Sequence, residues 1–174
     1  MELVTTYSSI AAATEAQPTV DSYETQYEQE RGKPMPSKNH SIVQGEMYYQ
    51  LRNQYGAEFD IFPELSLDLV SGKATPDICI YKKTPRNWKK DVVKTKEVPL
   101  LAVEILSPKQ NFNDIVDKIE DIYFPAGMKS AWVVLPQIES FMLFKPNEKT
   151  KTFNEGIFKD AASGFDIDLD KIFK

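Results

Sequence analysis

Two acidic side chains lie in segments that are otherwise strongly apolar. Glu104 stands inside "LLAVEIL", and Asp77 directly precedes "ICIY". A buried carboxylate must be protonated, hydrogen-bonded or paired with a cation, because burying it ionised and alone is very costly. We therefore expect Glu104 either to turn out to solvent or to meet something positive, and Asp77 could equally be a solvated or turn-capping group.

If both acids lie in paired strands and face the same side, they predict a cation site. Two converging carboxylates repel each other, so they either share a proton or bind a cation. Hard oxygen ligands of this kind suit Mg²⁺ or Mn²⁺. Strand alternation would put Cys79 on the face of Asp77, where a single cysteine is expected to be a small buried residue.

Lys118 is the candidate for a positive group supplied by the protein itself. It lies in "NDIVDKIEDIY", where Ile115, Ile119 and Ile122 recur at helical spacing. At the border of this apolar face, a lysine stem can lie on the core while its ammonium reaches sideways to the two acids. The alternative is a weak surface ion pair with Asp114, four residues earlier.

The segment "HSIVQGEMYYQLRNQY" is predicted to be a helix that ends at Gly56. Ser41 has capping-box spacing to a glutamine three residues on, and Asn39 is the alternative cap. Glu46 could support a metal through a water molecule, or it could be a solvated helix residue. His40, the single histidine, is expected to order the helix start, and no nucleophile elbow suggests a catalytic triad.

A basic, lysine-rich connection joins the segment that contains Asp77 to the segment that contains Glu104, and one tryptophan lies within it. Its members are Lys82, Lys83, Arg86, Trp88, Lys89, Lys90, Lys94 and Lys96. Such a loop could track phosphates and stack a base. The alternative is a solvated hairpin in which Trp88 packs on the sheet.

The elements that must position these residues alternate along the chain. Strands are predicted in "FPELSLDLV", "TPDICIY", "VPLLAVEIL", "KSAWVVLP", "SFMLFKP" and "TKTFNEGIFK", and a closing helical turn over residues 169–173. A short charged helix is predicted in "DSYETQYEQERGKPMPSKN". This succession predicts an α/β fold with a mixed sheet, in which residues 1–20 form a flexible tail and residues 21–174 one domain.

Composition narrows the function classes. A length of 174 residues fits one domain, and one cysteine with one histidine excludes the usual four-ligand zinc sites. The chain has no apolar run long enough to span a bilayer and no signal-peptide pattern, so we expect no membrane contact. Its single cysteine cannot form an internal disulfide, so we expect a cytoplasmic protein. The net charge of −5 argues against a surface coated in positive charge, although a local basic groove is compatible with it.

The ordered set "TPDICIY", "LLAVEILSPK" and "DIVDKIEDIYFPAGMKSAWVVLP" resembles the bacterial Uma-two family of restriction-endonuclease-like proteins, within the PD-(D/E)XK nuclease superfamily. The earlier "ERGKPMPSKNH" is similar to that family's segment leading to a histidine at a helix start. The likeness runs from about Tyr23 to the C-terminus. It implies a restriction-endonuclease-like fold, with a central mixed sheet flanked by helices and a divalent metal at one sheet end.

By motif position, the resemblance makes Asp77 and Glu104 the superfamily's two acids. The superfamily's lysine would fall at Leu106, but in the Uma-two variant it comes from the following helix, which implies Lys118. The interval from Lys118 to Tyr123 is one residue longer than in the family.

The implied activity is Mg²⁺- or Mn²⁺-dependent hydrolysis of phosphodiester bonds in DNA. Asp77, Glu104 and the backbone carbonyl of Ile105 would hold the metal, and Lys118 would orient water or offset negative charge. A homodimer would suit the cutting of two strands. The alternative is a protein of the same fold without turnover that binds nucleic acid or another protein. A two-carboxylate glycosidase has no aromatic-lined signature here.

Overall fold

The computed structural model describes residue 28 and residues 33–174. The predicted tail over residues 1–20 lies outside the described residues, as does most of the predicted short charged helix. The helices are α1 (Lys38–Tyr55) and α2 (Phe112–Lys118), which a π-helical turn (Ile119–Tyr123) continues, and short 3₁₀ turns lie at Pro136–Ile138 and Leu169–Lys171. The strands are β1 (Phe59–Pro63), β2 (Ser66–Leu69), β3 (Gly72–Ala74), β4 (Ile78–Lys82), β5 (Lys94–Thr95), β6 (Leu101–Ile105), β7 (Ala131–Leu135), β8 (Ser140–Phe144), β9 (Lys151–Phe153), β10 (Ile157–Asp160) and β11 (Phe165–Asp168).

A six-stranded sheet forms the centre, in the order β1-β4-β6-β7-β8-β9. β6 and β7 are parallel, and the other neighbours in this sheet are antiparallel. The sheet is therefore mixed, as the sequence predicted. All five residues of β6 are buried, which explains why its sequence is almost continuously apolar.

The two faces of this sheet carry separate apolar layers. On one face α1 packs through Val43, Met47 and Leu51. On the other face lie α2 with its π-helical turn, including Ile115 and Ile119, and the small sheet β3-β2-β5. The predicted arrangement of a mixed sheet between helices is confirmed.

The start of α1 differs from the prediction. Ser37 is the N-cap, and its side chain accepts a hydrogen bond from the backbone N–H of His40. Asn39 and Ser41 both lie inside the helix, so neither predicted cap is correct. Because the helix begins at Lys38, its N-cap is the residue directly before it, Ser37, which lies two residues before Asn39. The end of α1 is as predicted, with Gly56 as the C-cap.

Two predicted strands are broken by residues with positive φ. Glu64 has φ 57°, so "FPELSLDLV" divides into the end of β1 in the central sheet and β2 in the small sheet. Gly156 has φ 69°, so "TKTFNEGIFK" divides into β9 and β10, which lie in different sheets. A left-handed residue reverses the chain direction locally, and strand alternation alone does not reveal it.

The hairpin of β10 and β11 is fastened to the central sheet through one buried carboxylate. Asp160 Oδ2 accepts hydrogen bonds from Ser130 Oγ at 2.5 Å and from Trp132 Nε1 at 2.9 Å. Ser163 Oγ donates to the same oxygen at 2.6 Å. Burial would raise the pKa of Asp160, but these donors lower it below the ordinary value.

None of the helices in the described part of the chain is long and apolar enough to cross a membrane. Cys79 is fully buried, as expected. Burial, together with the negative charge of Glu104, raises the pKa of its thiol to about 12. The cytoplasmic location stays a prediction.

Candidate active site

Asp77 lies at the end of the sheet where β4 begins and β6 ends. Its backbone N–H donates to the carbonyl of Val103 at 3.0 Å. Its side-chain Oδ2 accepts from the backbone N–H of Ile105 at 2.6 Å. The side chain is 1% exposed, so the alternative of a solvated turn group is wrong. Because β4 and β6 are antiparallel, Asp77 and the end of β6 meet at one edge.

Two basic side chains hold the other carboxylate oxygen of Asp77. The buried ammonium of Lys33 forms an ion pair with Oδ1, and His40 Nε2 donates to Oδ1 at 3.1 Å. Burial alone would raise the pKa of Asp77, but the His40 hydrogen bond and the Lys33 charge lower it to about 2. Asp77 is therefore an ionised buried carboxylate at neutral pH.

Glu104 is also buried and is held by a different pair of donors. Lys118 Nζ lies 3.2 Å from Oε2, and the Tyr123 hydroxyl donates to Oε1 at 2.5 Å. Of the two alternatives predicted for Glu104, exposure to solvent or a positive partner, the structure shows the positive partner. Lys118 pairs with this buried acid, and its side chain is only 15% exposed, so the surface pair with Asp114 is not what forms.

Asp77 and Glu104 lie at the same end of neighbouring strands. Asp77 accepts a hydrogen bond from the backbone N–H of Ile105, the residue next to Glu104. Burial raises the pKa of Tyr123 well above its usual range, and the negative charges of Glu104 and then Asp77 raise it further. That both carboxylates turn toward one cation stays a prediction.

The π-helical turn explains how Lys118 and Tyr123 both reach Glu104. Residues five apart are about 140° apart around an α-helix, so a regular helix would point one of them away. The turn over Ile119–Tyr123 is π-helical, and its closing bond runs from the Phe124 N–H to the Ile119 carbonyl at 3.0 Å. This turn absorbs one extra residue, which accounts for the longer interval seen in the sequence.

Sequence reasoning missed three residues of this site. Glu64 Oε2 lies 3.6 Å from Lys33 Nζ, and Gln44 Nε2 donates to Glu64 Oε1 at 3.1 Å and to the Asp77 carbonyl at 2.8 Å. The position of Lys33 in "RGKPMPSKNH" was the available signal for it, whereas Glu64 and Gln44 depend on the left-handed turn. Glu46, which was considered as a support, is exposed on α1.

The acids offer a donor set that fits a small divalent cation. The described residues contain no group of three or more His, Cys, Asp or Glu side chains suited to hold a metal. Mg²⁺ is usually bound by one or two carboxylates, with water and substrate phosphate as the other ligands. Asp77, Glu104 and the Ile105 carbonyl match that pattern. Each acid already has an ammonium partner, so a bound cation would have to share these carboxylates with Lys33 and Lys118 or displace the two ammonium groups.

The basic connection divides into residues with different roles. Lys82, Arg86, Trp88 and Lys90 line a cavity of about 580 Å³. Lys83 Nζ instead donates to the carbonyls of Gly56 and Ala57 at 2.9 and 3.4 Å, where it satisfies the end of α1. Lys89 is exposed and does not line this cavity. Trp88 is 84% exposed, so it does not pack on the sheet.

A mixed central sheet flanked by helices, with two buried acids at one end of it, is the arrangement that the sequence resemblance implied for a restriction-endonuclease-like protein. The chain belongs to the Uma2 family, whose sequence model is described as "Putative restriction endonuclease" and matches residues 17–169. The fold is similar to the crystal structure of a "putative nuclease belonging to DUF820" from Anabaena variabilis ATCC 29413. That similarity has a TM-score of 0.69 and 21% identity, over 80% of this chain and 83% of that chain. No curated protein matches the sequence.

Proposed function

We propose that this protein is an endonuclease that hydrolyses phosphodiester bonds of DNA with the help of Mg²⁺ or Mn²⁺. The observation that carries the proposal is the arrangement around Glu104. Lys118 and Tyr123 hold this buried acid at the sheet edge where the ionised Asp77 lies. Membership of a restriction-endonuclease family supports the same reaction class.

The divalent cation would be held by Asp77, Glu104 and the backbone carbonyl of Ile105. When bound, such a cation lowers the pKa of a coordinated water and polarises a phosphoryl oxygen.

The other side chains would prepare the two acids and the substrate. Lys118 borders the site with a partly exposed ammonium, from which it can orient water or offset negative charge on the phosphate. Tyr123 keeps Glu104 in one orientation. Lys33 and His40 keep Asp77 ionised, so His40 supports the site through Asp77. We assign Glu46 no role.

DNA would enter along the basic connection. We propose Lys82, Lys83, Arg86, Trp88, Lys89 and Lys90 as its contacts, because their positive charge favours the phosphate backbone and Trp88 is open to solvent. The net charge of −5 makes this local concentration of lysines the natural place for a polyanion. A homodimer would allow both strands of a duplex to be cut.

The test is cleavage of supercoiled plasmid and of single-stranded DNA in Mg²⁺, in Mn²⁺ and in EDTA. We expect cutting with either metal and none in EDTA. Asp77→Ala and Lys118→Ala should each lower the rate at least a hundredfold. Lys159→Ala, at an exposed position on β10, serves as the matched control and should cut normally. Cutting that persists in both site variants would point to a contaminating nuclease and overturn the proposal.

A second candidate is a protein of this fold that binds nucleic acid without turnover. It is favoured by the built-in neutralisation of the site, since Lys33 and Lys118 already balance Asp77 and Glu104. The same assay separates the two, because this candidate predicts metal-independent retention of labelled DNA and no cut product from the wild-type protein.

A further inference from the structure

The cavity of about 580 Å³ lies apart from the paired acids, between α1, the edge strand β1 and the loop that follows β4. Its volume is within the range of sites that bind small organic groups. Phe62 and Tyr81 both line it, and the centres of their rings lie 5.9 Å apart in an edge-to-face arrangement. The cavity therefore offers aromatic surface and enough space for one nucleotide.

Arg86 and Trp88, which both line this cavity, form a stacked pair. Arg86 Nη2 donates to Asp60 Oδ1 at 2.5 Å, and the Asp60 side chain is 7% exposed. The guanidinium carbon of Arg86 lies 5.6 Å from the centre of the Trp88 ring. The buried acid thus fixes Arg86, and Arg86 in turn supports the indole. With 84% of Trp88 exposed, most of the ring remains available for stacking.

The charges around the cavity suit a phosphate-linked ligand. Arg52, Lys82, Arg86 and Lys90 line it together with three acidic residues, of which Asp60 is paired with Arg86. An aromatic platform beside cations is the arrangement by which proteins bind unpaired bases and their phosphates. In a duplex the base faces are covered by their neighbours, so only an unpaired nucleotide could stack on Trp88.

The cavity is connected to the candidate active site through the two chain neighbours of Glu64. Pro63 and Leu65 line it, and they flank Glu64, whose carboxylate lies 3.6 Å from Lys33 of the Asp77 cluster. A strand held on Trp88 would therefore continue toward the acids.

Resting on the proposed nuclease function, we infer that this cavity binds an unpaired nucleotide of a DNA strand by stacking on Trp88, so that the preferred substrate is single-stranded or locally unpaired DNA. This assigns a substrate class to the site.

Tryptophan fluorescence tests the inference directly, because the chain has two tryptophans and Trp132 is fully buried. The full chain is titrated in EDTA with a single-stranded DNA oligonucleotide, the same strand as RNA, and the blunt duplex. We expect the single DNA strand to quench the emission and the duplex to quench it much less. Equal quenching by the duplex would overturn the inference, and so would quenching by the RNA strand alone.

Binding of a labelled oligonucleotide, followed by anisotropy in EDTA, provides the second measurement. Trp88→Ala should weaken single-strand binding about tenfold or more, while Tyr49→Ala should leave it unchanged. Tyr49 is the matched control because it is 67% exposed and does not line the cavity. Equal affinity of Trp88→Ala and wild type would overturn the inference. Because this binding is measured without metal, absence of cleavage in the separate Mg²⁺ or Mn²⁺ assay would count against the nuclease proposal and leave the binding result standing.

Discussion

The residue that best explains the site is Glu104, whose two oxygens are each held by one donor. Lys118 supplies a charge and Tyr123 a hydroxyl. A buried carboxylate is stable only when such partners are present. Replacing either donor therefore tests a different property, since Lys118 affects charge and Tyr123 affects orientation.

Tyr123→Phe removes a single buried hydroxyl while keeping the ring. Because Tyr123 is fully buried, phenylalanine should fill the same space and leave Glu104 Oε1 without its donor. We expect the free energy of unfolding in urea to fall by about 1–3 kcal/mol and the cleavage rate to fall with it. Tyr49→Phe, on the exposed face of α1, should change neither quantity. Unchanged stability of Tyr123→Phe would contradict the importance of this bond.

Lys33 occupies one oxygen of Asp77, a proposed ligand of the metal. Its ammonium is buried and paired with Oδ1, so it competes with a cation for the same negative charge. Removing this competing charge should make the free energy of Mn²⁺ binding about 1.4 kcal/mol more favourable. We therefore expect Lys33→Met to bind Mn²⁺ about tenfold more tightly. Isothermal titration calorimetry measures this without reference to activity.

Lys38→Met is the control for that measurement, because Lys38 is exposed at the start of α1, the helix that carries His40. Its affinity for Mn²⁺ should equal that of the wild type. Weaker binding by Lys33→Met would mean that Lys33 holds Asp77 in place rather than competing with the metal.

At the scale of elements, the π-helical turn is the device that brings Lys118 and Tyr123 to one acid. Its extra residue was visible in the sequence only as a spacing longer than the family's. The structure gives that spacing a geometric cause, because a closing bond from Phe124 to Ile119 replaces the α-helical one.

Deleting Glu120 should restore a regular α-helix at this point. Lys118 and Tyr123 would then be four residues apart, about 40° around the helix, so both side chains should still reach Glu104. We expect cleavage to stay close to the wild-type rate and the circular dichroism spectrum to remain that of a folded protein. Glu120→Ala keeps the residue count at an exposed position and should also cut like the wild type. A folded deletion variant that has lost cleavage would contradict the view that the π-helical turn only absorbs the extra residue.

The strands and helices were predictable to the extent that their apolar patterns are uninterrupted. β6 and the segment that carries Lys118 have strong periodicity and were predicted correctly. The break at Glu64 was missed, because the strand was predicted from the alternation of Leu65, Leu67 and Leu69, all of which follow the break. A residue with φ 57° changes the direction of the chain without changing its hydrophobic pattern.

The site was predictable in part for the same reason. Asp77, Glu104 and Lys118 stand out against apolar surroundings, and the structure brings them to one sheet edge. Lys33 was marked only by its place in the segment that resembles the family, and nothing in the sequence distinguishes Gln44 from a solvated helix residue. Their contacts with Asp77 arise from tertiary packing over more than thirty positions of the chain.

At the scale of the whole molecule, the C-terminal hairpin is joined to the sheet through Asp160. This carboxylate accepts bonds from Ser130, Trp132 and Ser163, which come from two sides of the junction. The bonds require the ionised form, which is why its pKa is lowered. The junction lies away from the acids, so it bears on stability.

Asp160→Asn should lower the free energy of unfolding by about 3 kcal/mol at neutral pH, because an amide cannot accept from all these donors. The pKa of Asp160 is lower in the folded protein than its ordinary value of 3.8, so the ionised carboxylate stabilises the fold above that pH. This stabilisation is lost as the pH falls from 3.8 through the pKa of the folded protein. The gap between wild type and variant should therefore narrow in acid. Urea unfolding at several pH values measures it, with Asp121→Asn, at an exposed position, as the control. A gap that does not change with pH would contradict the role of the charge.

The central claim is that Asp77 and Glu104 bind one divalent cation at the edge of the sheet. Its most direct test is a crystal structure of the wild-type protein soaked in Mn²⁺, with anomalous scattering used to locate the metal. We expect an anomalous peak about 2.0–2.6 Å from oxygens of both carboxylates, with Lys33 moved off Asp77. Strong Mn²⁺ peaks elsewhere and none between these two acids would contradict the account.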